Sequence, residues 1–170
     1  MDRLGDGWDP PQAIVDRVEF HWFHVDPGRS LVLGILSTAP MWYVGHFEGG
    51  RMRQCSGTGC LSCLKGVGAQ IRYVFSAVEL TTRQVGVIEV SKSVAELIRS
   101  WEARNGSLRG MVLEFQKVSR SKQSRMDVGY IAECWPSWCV TVAPLDLRDV
   151  LSNTWGRMEA AQLRKQGCKV

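Results

Sequence analysis

The residues best equipped for chemistry lie in one short stretch, GHFEGGRMRQCSGTGCLSCLKG. There His46, Cys55, Cys60 and Cys63 fall in the order His-x8-Cys-x4-Cys-x2-Cys. Thiolates and a neutral imidazole are the donors that zinc prefers, and four of them complete a tetrahedron. A Cys-x2-Cys pair lets two sulfurs reach one ion from a tight turn. Gly57, Gly59 and Gly66 permit the positive φ angles such turns need. A closed set of four ligands leaves no position for water, so the expected role is a structural Zn2+ clip. Three thiolates and one Zn2+ leave about −1 on the site by charge counting. Arg51, Arg53 and Lys65 are close enough in sequence to offset it.

The same spacing admits a rival chemistry. Cys-x4-Cys-x2-Cys followed by a distant cysteine is the pattern of plant-type 2Fe–2S ferredoxins. Cys134 or Cys139 would then be the fourth ligand, and the function electron transfer. His21 and His24, with Cys134 and Cys139, form a candidate second metal group; Cys168 reads as a free thiol. Hydrolytic chemistry has little support. There is no G-x-S-x-G, H-E-x-x-H, P-loop or Rossmann glycine pattern, and the carboxylates are scattered. The chain therefore reads as a binding protein rather than an enzyme.

The 170 residues are enough for one domain with a real core, given 45% hydrophobic content. The net charge is +4, and it is concentrated. Arg109, Lys117, Arg120, Lys122 and Arg125 face a single acidic residue, Glu114, in that stretch. Such a patch points to a polyanionic partner. The N-terminal MDRLGDGWDPPQ has no apolar signal core, and no apolar run is long enough to span a membrane. A cytoplasmic, reducing setting is expected, which favours metal over disulfides for the six cysteines.

The elements that must position these residues follow from pattern. PQAIVDRV could form a short helix with Pro11 near its start. Val18–Val25 and Ser30–Thr38 read as strands, and MWYVGHF leads into the cysteine module. Gln70–Leu80 and Gln84–Val90 form a hairpin. Val94, Leu97, Ile98 and Trp101 make one helical face, with a Ser93/Glu96 capping box and an Asn105-Gly106 stop. Leu108–Val118 and Met126–Glu133 form a second hairpin around the basic loop SRSKQSR. CWPSWC turns the chain, and an amphipathic helix within about 145–165 closes it.

Strand, cysteine module, strand, strand, helix, strand, strand is the order of the five-stranded OB-fold barrel. The expected architecture is thus mainly β with α: such a barrel over 1–144, with the zinc-binding loop 46–66 nested in it, and a C-terminal helix and basic tail over 145–170. OB-folds bind oligonucleotides on the face of their second and third strands, between the first and last hairpin loops. Here those are the cysteine module and the SRSKQSR loop.

His46, Cys55, Cys60 and Cys63, with Gly57 and Gly66, resemble the zinc subdomain of T-even phage single-stranded DNA-binding proteins. They are similar also to small phage- and plasmid-type proteins with a GHF…C-x-G-x-x-C-x-x-C-x-x-G signature. The match covers about residues 42–75, and the rest only by element order. It implies single-stranded DNA or RNA as partner and a role in replication, recombination or repair. Candidate phosphate contacts are Lys117, Arg120, Lys122, Arg125, Arg72, Arg51, Arg53 and Lys65; candidate ring platforms are Tyr73, Phe75, Trp42 and Tyr43. Trp101, Trp135 and Trp138 read as packing residues. The other expectation is a zinc-stabilised protein–protein adaptor, with helix 145–165 available for self-association or a protein partner.

Overall fold

A computed structural model describes residues 20–117, 125–131 and 136–154. The short β1 (His21–Trp22) precedes β2 (Ser30–Ile35), β3 (Met41–Glu48) and β4 (Arg51–Gln54). One helical turn, α1 (Leu61–Leu64), leads to the 11-residue β5 (Ala69–Glu79) and then β6 (Val85–Ser91). Helix α2 (Lys92–Asn105), β7 (Val112–Lys117), β8 (Met126–Ile131) and a 3-10 turn (Ser137–Thr141) follow. The chain is helical again over 147–154. No helix among the described residues is long and apolar enough to cross a membrane.

The sheet is organised by β5. Its C-terminal half pairs with β2 (Ile35 opposite Ala77) and its N-terminal half with β3 (Trp42 opposite Tyr73). The break between β2 and β3 comes at Ser37–Pro40, where Ser76 holds the chain. Its amide donates to Ser37 Oγ at 2.6 Å, and its carbonyl accepts the amides of Leu36 and Ser37. The other edge of β5 pairs with β6, while β2 continues to β7 and β8, giving the order β1-β6-β5-β2-β7-β8.

Both anticipated hairpins are present, but among the described residues the sheet has eight strands and is open. No ladder joins β8 to β6 among the described residues. The edge of β6 at Gly86 and Val87 is taken by β1, in parallel. Any side chain at Gly86 would collide with the His21 carbonyl, so the close approach of β1 requires glycine there.

Because side chains alternate along a strand, β5 serves two cores. Phe75 and Ala77 point to the side covered by α2, with Leu33, Ile35, Ile88, Val90, Ile98, Leu113 and Phe115. Val74 points the other way, to Tyr43, Val87, Val150 and Leu151, so the helical residues 147–154 pack on that face. Leu36, Val78 and Cys139 extend this second layer beneath the 3-10 turn, and the Leu145 amide donates to Ser76 Oγ at 2.8 Å. The rest of the expected 145–165 helix, the short N-terminal helix and the SRSKQSR tip lie outside the described residues.

Helix α2 departs from its sequence reading in two respects. It starts at Lys92, with Ser91 as the capping residue and no side-chain cap bond, so the Ser93/Glu96 box does not form. The β6 ladder runs to Ser91 and fixes the start; Glu96 instead meets Lys92 at 3.7 Å. Leu97 is 42% exposed, and the buried stripe is Val94, Ala95 and Ile98. The stop is as read: Gly106 adopts φ 77° and its amide donates to the Glu102 carbonyl.

Candidate metal centre

Four backbone devices bring the ligands together. The β3–β4 hairpin turns at Gly49-Gly50, both at positive φ, and sets His46 opposite Arg53. The Cys55 amide then donates to the Val44 carbonyl at 2.8 Å, which anchors Cys55 beside β3. Gly57 and Gly59, at φ 78° and 83°, fold the CSGTGC loop so that the Cys60 amide reaches the Gly57 carbonyl. Finally α1 places Cys60 and Cys63 one turn apart, and Gly66, at φ 72°, closes it through its amide to the Cys63 carbonyl.

The donor atoms of His46, Cys55, Cys60 and Cys63 all lie within 4.8 Å of one another, the group among the described residues that could hold a metal ion. Cys55 Sγ is 3.7 Å from Cys63 Sγ, and Cys63 Sγ is 3.4 Å from His46 Nε2. A tetrahedral zinc with its usual bond lengths sets sulfurs about 3.8 Å apart and sulfur to nitrogen about 3.6 Å apart. A disulfide needs about 2.05 Å between sulfurs. These two separations match edges of a zinc tetrahedron, and Cys55 and Cys63 are not bonded to each other.

The imidazole is prepared for this role. His46 Nδ1 lies 2.9 Å from the Val67 carbonyl; donating a proton there leaves the Nε2 lone pair facing the thiols. His46 is 1% exposed, so its orientation is held by packing as well. Cys60 is pulled down to about 6, chiefly by the backbone amide of Cys63 and then of Ser56, which stabilise a thiolate. Cys55 is lowered too, first by the Gly57 amide. Cys63 is pushed up to about 11 by the adjacent Cys55 and by burial. The amides around Cys60 thus favour its thiolate, while Cys63 holds its proton more tightly.

Glu48 was not anticipated. Its carboxylate accepts from Ser62 Oγ at 2.9 Å and Lys65 Nζ at 3.4 Å, tying the metal loop back to β3. These partners hold its carboxyl below the ordinary range. The Gly49-Gly50 dipeptide between HFE and RMRQ was the available hairpin signal for β4. Cys139 lies elsewhere, fully buried against Leu36 and Val78. It is therefore not a fourth sulfur for this cluster, and His21 and His24 form no metal group with it. Cys134 and Cys168 fall outside the described residues.

The nucleic-acid candidates separate into three groups. Trp42 is 61% exposed; Arg51, Lys65 and Arg125 are exposed, and Arg53, Lys117 and Tyr73 half-buried. Three candidates need correction. Phe75 is 2% exposed in the core, and extracting it costs about 1.5–3 kcal/mol, as much as stacking on a base returns. Tyr43 is 6% exposed and donates its hydroxyl to Glu89 Oε2 at 2.5 Å. Arg72 is half-buried and donates to Glu89 Oε1 at 2.8 Å, so its charge is spent inside the fold. Arg109, counted in the basic stretch, likewise donates to the carbonyls of Leu36 and Val142. Arg120 and Lys122 lie outside the described residues, as does Trp135. Trp138 packs beside Cys139 with the Arg83 guanidinium 5.0 Å over its ring.

Gly45 links the sheet to the centre. A Cβ there would sit 2.8 Å from the Arg53 carbonyl and 2.9 Å from the Tyr43 ring. Gly45→Ala must push β4 away from β3, and Cys55 follows β4. A loss of about 1–3 kcal/mol is expected for such overpacking. Urea unfolding reads it, and an unchanged midpoint would show that the hairpin yields freely. Comparison of the chain with protein-family models, with curated proteins and with solved structures returns no match.

Proposed function

We propose that this protein is a non-enzymatic single-stranded nucleic-acid-binding protein, with DNA as the first-choice strand, whose binding face is clipped in shape by a structural zinc ion. The observation that carries the reading is one continuous strip. Residues paired directly across a sheet share a face. Trp42 and Tyr73, Val44 and Ile71, and His46, Ala69 and Arg53 therefore line the same side of β3, β5 and β4. Trp42 at 61% and Ile71 at 39% exposure form a flat apolar platform. Arg53 and Arg51 follow at the metal end, with Lys65 on the loop that closes it. Rings for bases beside cations for phosphates is what strand binding without sequence readout requires.

Two further features support it. The donor set Cys3His suits zinc, whereas the plant-type 2Fe–2S pattern takes four cysteines. Within the open sheet β1-β6-β5-β2-β7-β8, the part β6-β5-β2-β7-β8, with α2 between β6 and β7, is compatible with an OB-like order whose first loop is the metal module. The outer face of β5 and β6 is covered by residues 145–151, so the strip beside the metal takes the place of the usual OB surface.

Titration of the tryptophan fluorescence with oligothymidine tests this. Trp42→Ala should weaken binding by about 1–3 kcal/mol, the worth of one stacked base. Arg51→Ala with Arg53→Ala should reduce the salt slope by about 1.4, two single-strand phosphates. Wild-type affinity and slope in both variants would rule the strip out. Replacing Lys117 and Arg125 together separates the hairpin's share.

A second reading rests on Leu61 and Leu64, 56% and 75% exposed on α1. They would make the metal loop an adaptor surface for a protein. Leu61→Ser with Leu64→Ser should then abolish a partner's binding and leave oligonucleotide affinity unchanged.

A further inference from the structure

Between β5 and α2 lies a cleft of about 440 Å³. Its floor is apolar, built from Phe75, Ile98 and Leu108, each no more than 2% exposed. Its lip is Tyr73, half-buried, beside Pro40. The helix contributes a charged edge. Lys92, Glu96, Arg99 and Glu102 recur at spacings that place them along one side of α2. Lys92 and Glu96 satisfy each other at 3.7 Å. Arg99 is exposed and forms no ion pair among the described residues. Glu102 is half-buried at the cleft wall.

We propose that this cleft holds one nucleotide with an amino-bearing base. The base lies against Tyr73, its exocyclic amine donates to the Glu102 carboxylate, and its phosphate meets Arg99. The size is that of small-ligand sites, roughly 300–1,000 Å³. The chemistry selects the occupant. A fatty chain would desolvate Glu102 without return, and a free inorganic anion would leave the aromatic lip and the apolar floor unused. A nucleotide uses all three features at once. Adenine, cytosine and guanine present the amine that a carboxylate accepts; thymine does not. Trp42 stands directly across the ladder from Tyr73, so a strand laid on the β3–β5 platform is led into the cleft. In that sense the pocket deepens, and rests on, the single-strand reading.

The test uses the full chain loaded with zinc. Amide proton–nitrogen spectra are recorded with the monophosphates of deoxyadenosine, deoxycytidine and thymidine, and separately with oligothymidine. The first two nucleotides should shift the amides of Tyr73, Arg99 and Glu102, with thymidine monophosphate bound ~10-fold more weakly for want of one charge-assisted hydrogen bond. Arg99→Ala should weaken all three by a similar ~10-fold factor, and Glu102→Gln should erase the preference while the spectrum elsewhere stays wild-type. Shifts confined to the Trp42 strip, or no base preference, would overturn the pocket while oligothymidine binding keeps the single-strand reading alive. Occupation of the cleft by mononucleotides with no oligonucleotide binding would do the reverse. Silence in both titrations would end both.

Discussion

Cys60→Ser is expected to abolish metal binding and to unfold residues 46–68 while the rest of the sheet stays folded. The loop cannot hold itself. Its apolar residues Leu61 and Leu64 face solvent, and Cys60 is its buried hydrophobic side chain. Structural zinc contributes about 10–16 kcal/mol of apparent binding energy in peptides of comparable ligand sets, far more than this loop's hydrogen bonds supply. Serine offers no thiolate, and it leaves the amides of Cys63 and Ser56 aimed at a weaker acceptor. Wild type should carry one metal per chain and lose it to a chelator; the variant should carry none. Amide spectra should then show collapse of dispersion for 46–68 and retention for β5, β6 and α2. Global unfolding on chelation, or stoichiometric metal in the variant, would contradict the clip.

The same chemistry sets a proton balance. With the loop folded, the amides of Cys63 and Ser56 pull Cys60 down to about 6 and favour its thiolate. Cys63, pushed up to about 11, still carries its proton and must release it on ligation. Metal uptake should therefore acidify a weakly buffered solution. Affinity should rise with pH through the neutral range and fall steeply below pH 6, where Cys60 protonates.

The metal group was legible because its information is local: four ligand types, fixed spacings and turn glycines in about twenty residues. The two hairpins and α2 were legible for the same reason, through alternation, helical period and Gly106. What escaped was set by distance along the chain. Phe75 and Tyr73 share a strand face in any reading, but only the arrival of α2 and β7 makes that face interior at Phe75 and open at Tyr73. Tyr43 and Arg72 look like binding residues until Glu89, tens of residues away, takes both. Closure into a barrel was inferred from order alone, and order does not reveal that β1 reaches the edge of β6 first. The covering of the outer face by Val150 and Leu151 was likewise invisible, since an amphipathic helix announces that it packs but not where.

Glu89 carries the second large effect. Its two oxygens accept from the Tyr43 hydroxyl at 2.5 Å and the Arg72 guanidinium at 2.8 Å, joining β3, β5 and β6 beside the layer formed by Val150 and Leu151. The carboxylate and guanidinium side chains are 18% and 23% exposed, so water can compensate only part of a loss. Glu89→Ala removes both acceptors and leaves a charge and a hydroxyl poorly solvated, which should cost about 3 kcal/mol, the lower end for a broken buried pair. Tyr43→Phe alone should cost about 1 kcal/mol, and the double variant less than the sum, because one network is removed once. The pH dependence gives an independent sign. Burial first, and then the Glu89 charge, push the Tyr43 phenol well above the ordinary tyrosine range. A group raised in the folded state stabilises fully below its unfolded value, about 10, and that stability is lost as pH climbs beyond it. Wild type should therefore lose more stability than Tyr43→Phe between pH 9 and about 11 in urea unfolding. Equal losses, or a Glu89→Ala cost within about 0.5 kcal/mol of zero, would mean that the trio is a solvated surface pair and that β3 is held to the sheet by its ladder alone.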